Sequence, residues 1–152
     1  MKFDFGFKTI DSEKEIKTAI NFIRDFPLGY EGYMDWTEKV YCQLMNGEKS
    51  GIVAMSEGKI IGDLIYQNLD KGILELKNLR VHSSLGRRGF SNFMMNQLEI
   101  ESLISGKEGI LLDTREDNMP IRNLLEFRGY DIISKEKLYD DKIDVSYFKK
   151  LK

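Results

Sequence analysis

Residues 72–91, GILELKNLRVHSSLGRRGFS, run a strand-like stretch into a turn of glycine and arginine that opens an amphipathic helix. A chain that leaves a strand, turns on glycine and starts a helix directs several unpaired backbone N–H groups outward, with the positive end of the helix dipole behind them. Gly86, Arg87, Arg88, Gly89, Phe90 and Ser91 therefore suit an anion such as a pyrophosphate. The strand before the turn adds a second feature. Leu74 and Leu76 share a face, whereas Leu79 and Val81 join it only if the alternation slips by one residue near Lys77-Asn78. A β-bulge makes such a slip and frees N–H groups able to hold a carbonyl or an oxyanion; Glu75, Lys77, Arg80 and His82 then fall on the more polar side. The other reading is a strand whose two halves face different layers.

Other chemistries are poorly supplied. Cys42 is the only cysteine and His82 the only histidine, which excludes an intramolecular disulfide and the zinc patterns built from several Cys and His. Metal catalysis and a Ser-His-Asp triad have no good basis, and a lone His after a strand reads as a surface or loop residue. The 152 residues carry 23 Lys and Arg against 25 Asp and Glu, a net charge of −2, so no global positive field gathers nucleic acid or an anionic membrane. An anion site has to be local. With 41% hydrophobic and 32% charged residues, the chain has material for one core and a single domain over residues 1–152. MKFDFGFKTI, with Asp4 inside it, lacks the apolar run of a signal peptide, and nothing later approaches a membrane-spanning length, so a cytoplasmic location is expected.

Positioning these residues needs a scaffold, and the flanking patterns supply one. In KFDFGFKT, residues 2–9, Phe3, Phe5 and Phe7 alternate with polar or small residues, which predicts a half-buried strand. Ser12 with Glu15 is a capping box, and Ile16, Ala19, Ile20 and Ile23 follow at helical spacing, so a helix runs to about Phe26 before Pro27 and Gly29 end it. Residues 28–48 hold Tyr30, Tyr33, Trp36 and Tyr41 and a short helix over Met34 to Met45. Their rings suit core packing or a lid over an acceptor, and Glu31, Asp35 and Glu38 suit an acidic rim or a solvated face. Residues 50–67 read as two strands joined at Glu57-Gly58, with glycine supplying the positive φ. A second turn at Asn68 to Gly72 makes residues 50–82 a three-stranded antiparallel meander. Phe90, Phe93, Met94 and Leu98 predict a helix to about Ile104, stopped at Gly106, and GILLDTRED (109–117) a central strand. Asn118 caps the next helix, with Pro120 in its first turn, Ile121, Leu124 and Leu125 facing inward and Gly129 as the stop. Tyr130 to Tyr139 and Ile143 to Lys149 form a last strand pair.

This order of elements, with VHSSLGRRGFSNFMMNQL at 81–98, resembles the GNAT acetyltransferase superfamily over nearly the whole chain. The resemblance implies an α+β fold in the order β-α-α-β-β-β-α-β-α-β-β, with a mixed, mostly antiparallel sheet of about seven strands flanked by about four helices. In that family the turn reads Gln or Arg, two residues, Gly, one residue, then Gly or Ala. Gly89 matches, while Gly86 and Ser91 depart as small residues that leave backbone N–H donation intact. NMPIRNLLEFRGY, 118–130, is similar to the family's later helix, and Asn118 matches a position whose side chain contacts the pantetheine arm or the helix beside it. Leu125 stands where the family often has a Tyr as general acid. The resemblance passes that role to another hydroxyl, Tyr130 being nearest and Tyr139 the other choice, or leaves the thiolate to depart unassisted, which a thiol of pKa roughly 8.5 tolerates.

The resemblance further implies acetyl-CoA as acyl donor, no metal, and direct transfer of the acetyl group to the primary amine of a small molecule or peptide. Glu75, eleven residues before Gly86, matches the strand glutamate that acts as general base in the histone-acetylating branch; otherwise it is a strand-face carboxylate paired with Lys77. Backbone N–H groups at Leu79, Arg80 and Val81 would receive the acyl oxygen. Residues 27–48 and 136–144 correspond to the family's acceptor pocket. No nucleic acid or membrane partner is expected, and the family's habits are compatible with a homodimer. Leu125 also supports a second function, a catalytically weak acyl-CoA-binding sensor or interaction module, and a plain partner-binding domain is a third.

Overall fold

A computed structural model describes residues 4–27, 29, 31–86 and 89–151. The chain forms β1 (Gly6–Thr9), α1 (Glu13–Asp25), α2 (Tyr33–Met45), β2 (Ser50–Ser56), β3 (Lys59–Asn68), β4 (Ile73–Val81), α3 (Phe90–Ile104), β5 (Gly109–Arg115), α4 (Met119–Phe127), β6 (Asp131–Glu136) and β7 (Asp144–Lys150). The expected element order is found. The seven strands form one sheet in the order β1-β2-β3-β4-β5-β7-β6, in which β4 and β5 run parallel while β1 with β2, β2 with β3, β5 with β7 and β6 with β7 run antiparallel. Among the described residues no helix is long and apolar enough to cross a membrane. Two compact units share the chain, Met1–Gln67 with Asn78–Leu98 and Asn68–Lys77 with Glu99–Lys152, so that β4 and α3 each contribute to both.

In the first unit α1 starts as its sequence dictates. The Ser12 hydroxyl accepts from the Glu15 N–H at 3.2 Å and donates to Glu15 Oε1 at 3.0 Å, which completes the capping box. Ile16, Ile20 and Ile23 then bury one stripe against Tyr33, Val40 and Leu44 of α2 and Ile65 of β3. The β2–β3 turn puts Glu57 (φ 50°) as well as Gly58 (φ 76°) in the left-handed region, so both central residues take the primed-turn conformation and not glycine alone. β1 is shorter than its alternation predicts. Phe5, just before it, lies edge-on to Phe90 at 4.9 Å between ring centroids, whereas Phe3 and Tyr30 lie outside the described residues.

The first turns of α3 approach the sheet at a glycine. A Cβ on Gly62 would stand 3.0 Å from Met94 Sδ and 3.2 Å from Phe90 Cε1, inside normal contact for both. Phe90, Met94, Met95 and Leu98 are buried, but Phe93, expected among them, is 52% exposed and Met95 takes its place. Its ring instead leans on Phe5 and Phe90 at the edge of the cluster.

In the second unit β5 pairs with β7 from Gly109↔Lys150 to Arg115↔Asp144. Gly109 is required there because a Cβ would collide with the Phe148 ring. Leu125 of α4 is fully buried, and Gly129 (φ 86°) stops that helix. Glu99 gathers Arg128 and Lys149 at 2.7 Å each. Burial opposes its charge, yet the two cations hold its carboxyl below the usual range.

Candidate active site

Inner and outer faces of β4 alternate without the predicted slip. Leu74, Leu76 and Asn78 are buried in strict alternation, so the inward face of β4 runs unbroken through Lys77-Asn78. The reason is Asn78. A polar residue broke the apolar pattern in the sequence, but it faces inward because its amide is satisfied: Tyr33 Oη donates to Asn78 Oδ1 and Asn78 Nδ2 donates to Asp63 Oδ1, both at 2.8 Å. Leu79 and Val81 therefore share the side of Glu75 and Lys77. Arg80 falls on the other, where its Nε donates to the Phe26 carbonyl at 2.7 Å.

After β4, His82 orders the approach to Gly86 through local contacts. Its Nδ1 accepts from the Ser84 N–H at 3.1 Å, and its ring packs on Phe26 at 4.6 Å. Gly86 has an ordinary backbone (φ −58°, ψ 142°) and donates to the Ser83 carbonyl at 3.2 Å, so the turn does not demand glycine there. Gly89 is different: φ is 72°, and nothing lies within 4 Å of where its Cβ would be. Only backbone freedom fixes glycine at that position. α3 begins at Phe90 and carries no acidic residue in its first turn, whereas α1 has Glu13 and Glu15 there and α2 has Asp35. A helix start without its own carboxylate leaves the positive end of its dipole uncompensated by an acidic side chain of that turn. Arg87 and Arg88 lie outside the described residues.

In the second unit Glu75 belongs to a polar group. Lys77 Nζ lies 3.6 Å from Glu75 Oε1, with both side chains about one-fifth exposed (17% and 21%). Asp113 of β5 is held above the usual carboxylate range by burial, against the pull of Lys77 and a hydrogen bond from Tyr139. That bond runs from Tyr139 Oη to Asp113 Oδ1 at 3.2 Å. Desolvation and Asp113 together push the Tyr139 phenol up. The sequence singled out Glu75 and named Tyr139 as a substitute acid, but it missed Asp113. The available signal was a carboxylate interrupting the apolar run GILLDT.

Tyr130 stands elsewhere. It is 3% exposed, its hydroxyl donates to Glu99 Oε2 at 3.3 Å, and burial and Glu99 push the phenol up. A phenol so enclosed is poorly placed to protonate a leaving group, for all its nearness to Leu125 in sequence. Asn118 takes the position before α4 but makes no capping hydrogen bond with its side chain; Pro120 fills the first turn, where no N–H is needed. Its half-buried amide is thus not spent on the helix.

Residues 18–130 match the model of the acetyltransferase (GNAT) family. The chain belongs to the GNAT family. Among solved structures, the ribosomal-protein-S18-alanine N-acetyltransferase from Escherichia coli is similar, with 16% identity, 97% of this chain and 94% of that one covered, and a TM-score of 0.82. An aminoglycoside 6'-acetyltransferase type Ii is 22% identical over 96% and 97% of the two chains with a TM-score of 0.79. An aminoglycoside 6'-N-acetyltransferase complexed with coenzyme A is 18% identical over 96% and 97% with a TM-score of 0.77. At these identities the likeness shows the fold alone. No curated protein matches the sequence. Membership in the GNAT family carries acetyl-CoA-dependent acyl transfer as the general activity.

Proposed function

We propose that the protein moves the acetyl group of acetyl-CoA directly to the primary amine of a small molecule or peptide. The observation that supports this reading best is the grouping of Glu75, Lys77, Asp113 and Tyr139. An amine of lysine type, with an ammonium pKa near ~10, must lose a proton before it attacks. Glu75 is our choice for the base: it sits on a strand, is mostly enclosed, and lies 3.6 Å from Lys77 Nζ. Asp113 adds acidic character that favours a cationic acceptor. In the step itself Glu75 takes the ammonium proton, the amine nitrogen bonds to the acetyl carbon, the carbon–sulfur bond breaks, and the proton that nitrogen sheds in becoming an amide passes to the departing thiolate, so that coenzyme A is released as the thiol. Backbone N–H groups of Leu79 to Val81 receive the acyl oxygen, those of the turn after Gly86, up to Ser91, the pyrophosphate, and Asn118 the pantetheine arm. Tyr139 replaces Tyr130 as the hydroxyl nearest the chemistry.

The test has two arms. Acetyl-CoA at about one hundred times its Kd should stabilise the fold by about 2.7 kcal/mol and raise the melting temperature accordingly. Thiol release with a panel of amines should then identify an acceptor, and Glu75→Gln should slow it by about 10²- to 10⁴-fold. Stabilisation without thiol release from any amine would instead favour the sensor function that Leu125 suggests, and no stabilisation at all would sink both.

A further inference from the structure

The buried polar chain in the first unit is unused by the chemistry above. Tyr33, Asn78 and Asp63 are 7%, 3% and 0% exposed, and they are joined in that order by the two hydrogen bonds already described. Asp63 Oδ2 has no hydrogen-bond partner. An apolar side chain at Asn78 would continue the Leu74, Leu76 stripe, and replacing both partners of a buried hydrogen bond with apolar groups is often neutral for stability. The chain therefore brings little by way of stability that leucine could not. What it adds is direction, because a hydrogen bond fixes where its partners sit.

The places it fixes are informative. Tyr33 is the first residue of α2. Two residues beyond Asn78 on the same face of β4, Arg80 donates to the carbonyl of Phe26, the residue that closes α1, and the His82 ring packs on the Phe26 ring. β3 and β4 thus hold both ends of the α1–α2 connection, residues 27–32, through polar contacts.

We propose that Asp63, Asn78 and the Arg80 side chain are positioning residues for the acceptor amine, which they serve by fixing the two ends of the α1–α2 connection. The proposal rests on the acetyltransferase reading, in which that connection shapes the acceptor pocket. It predicts a division in the kinetics: loosening the connection weakens the amine and spares acetyl-CoA.

Tyr33→Phe removes one hydroxyl without emptying the core, and Asn78→Leu and Arg80→Met remove the remaining polar contacts. Trp36, the chain's one tryptophan, stacks on Tyr33 at 5.3 Å and reports on the start of α2 by its fluorescence. With a lysine-containing peptide and a simple diamine as probe amines, the variants should raise the amine KM by about tenfold while the acetyl-CoA KM moves less than about twofold. Backbone amide exchange over residues 26–36 should quicken in each variant. Asp63→Asn, which keeps the acceptor for Asn78, should stay near wild type. Unchanged exchange and Trp36 fluorescence in Tyr33→Phe and Arg80→Met overturns the proposal, as does an equal rise in both KM values. If exchange quickens but acetyl-CoA fails to raise the melting temperature, the tether stands and the acetyltransferase reading is what falls.

Discussion

Two tyrosines offer the same hydroxyl and different surroundings, and the surroundings decide their roles. Tyr130 directs its proton at Glu99 inside a cluster closed by Arg128 and Lys149, while Tyr139 is 65% exposed and bonds to Asp113 beside Glu75. Removing the Tyr130 hydroxyl takes one charge-assisted bond from a carboxylate that keeps two cations. Tyr130→Phe should therefore cost about 1–2 kcal/mol in denaturant unfolding and leave the rate of thiol release within about threefold. Tyr139→Phe should do the reverse, with stability close to wild type and a rate lowered by about tenfold or more. Equal kinetic losses in the two variants would return Tyr130 to the chemistry. Sequence order favoured Tyr130 because it lies near Leu125. Glu75 is proposed from a family motif's offset along one strand, whereas the Asp113–Tyr139 contact joins residues far apart in the chain, which no spacing rule reaches.

At the scale of elements, the start of α3 matters most, and its position depends on a residue outside it. Gly62 lets Phe90 and Met94 lie against β3, so the N-terminal turn of the helix is set by the absence of a side chain on a strand. Gly62→Val should push α3 outward, lower the melting temperature by several degrees, and weaken acetyl-CoA more than the amine, measured as separate KM values. Ser12→Ala offers a control: it should cost about 1 kcal/mol at the α1 N-terminus and leave both KM values unchanged. A Gly62 variant that lost only stability would detach the placement of α3 from donor binding. Helix limits were legible in the sequence because caps and glycine stops are local chemistry, as Ser12, Gly106 and Gly129 show. β4 was misread for a non-local reason. Asn78 looked like the polar position of a shifted strand, and the partners that draw it inward, Tyr33 and Asp63, are visible only once the chain has folded.

For the molecule as a whole, the telling feature is an acid that the fold keeps from ionising. Nothing in IIGDLIYQ marks Asp63 as more than the polar side of a strand. Burial holds its carboxyl up to about 8, against the opposing pull of Asn78 and Arg80, from an ordinary value of 3.8. Below the ordinary value both the folded and the unfolded chain carry this proton, and the contribution to stability is fully present. As pH rises towards 8 the unfolded chain releases the proton while the folded chain keeps it, so stability falls across that window and levels off beyond it. At about 1.4 kcal/mol per unit of separation, the ceiling is on the order of 5 kcal/mol, a large share of a typical domain's stability. Asp63→Asn cannot titrate and keeps the acceptor for Asn78 Nδ2. Its melting temperature, subtracted from that of wild type at each pH, should show a difference that grows in the variant's favour from pH 5 to pH 8 and is constant above. Other titrating groups cancel in that subtraction because they are common to both proteins. Two melting curves that stay parallel across the window would show that Asp63 ionises in the fold as readily as it does outside it.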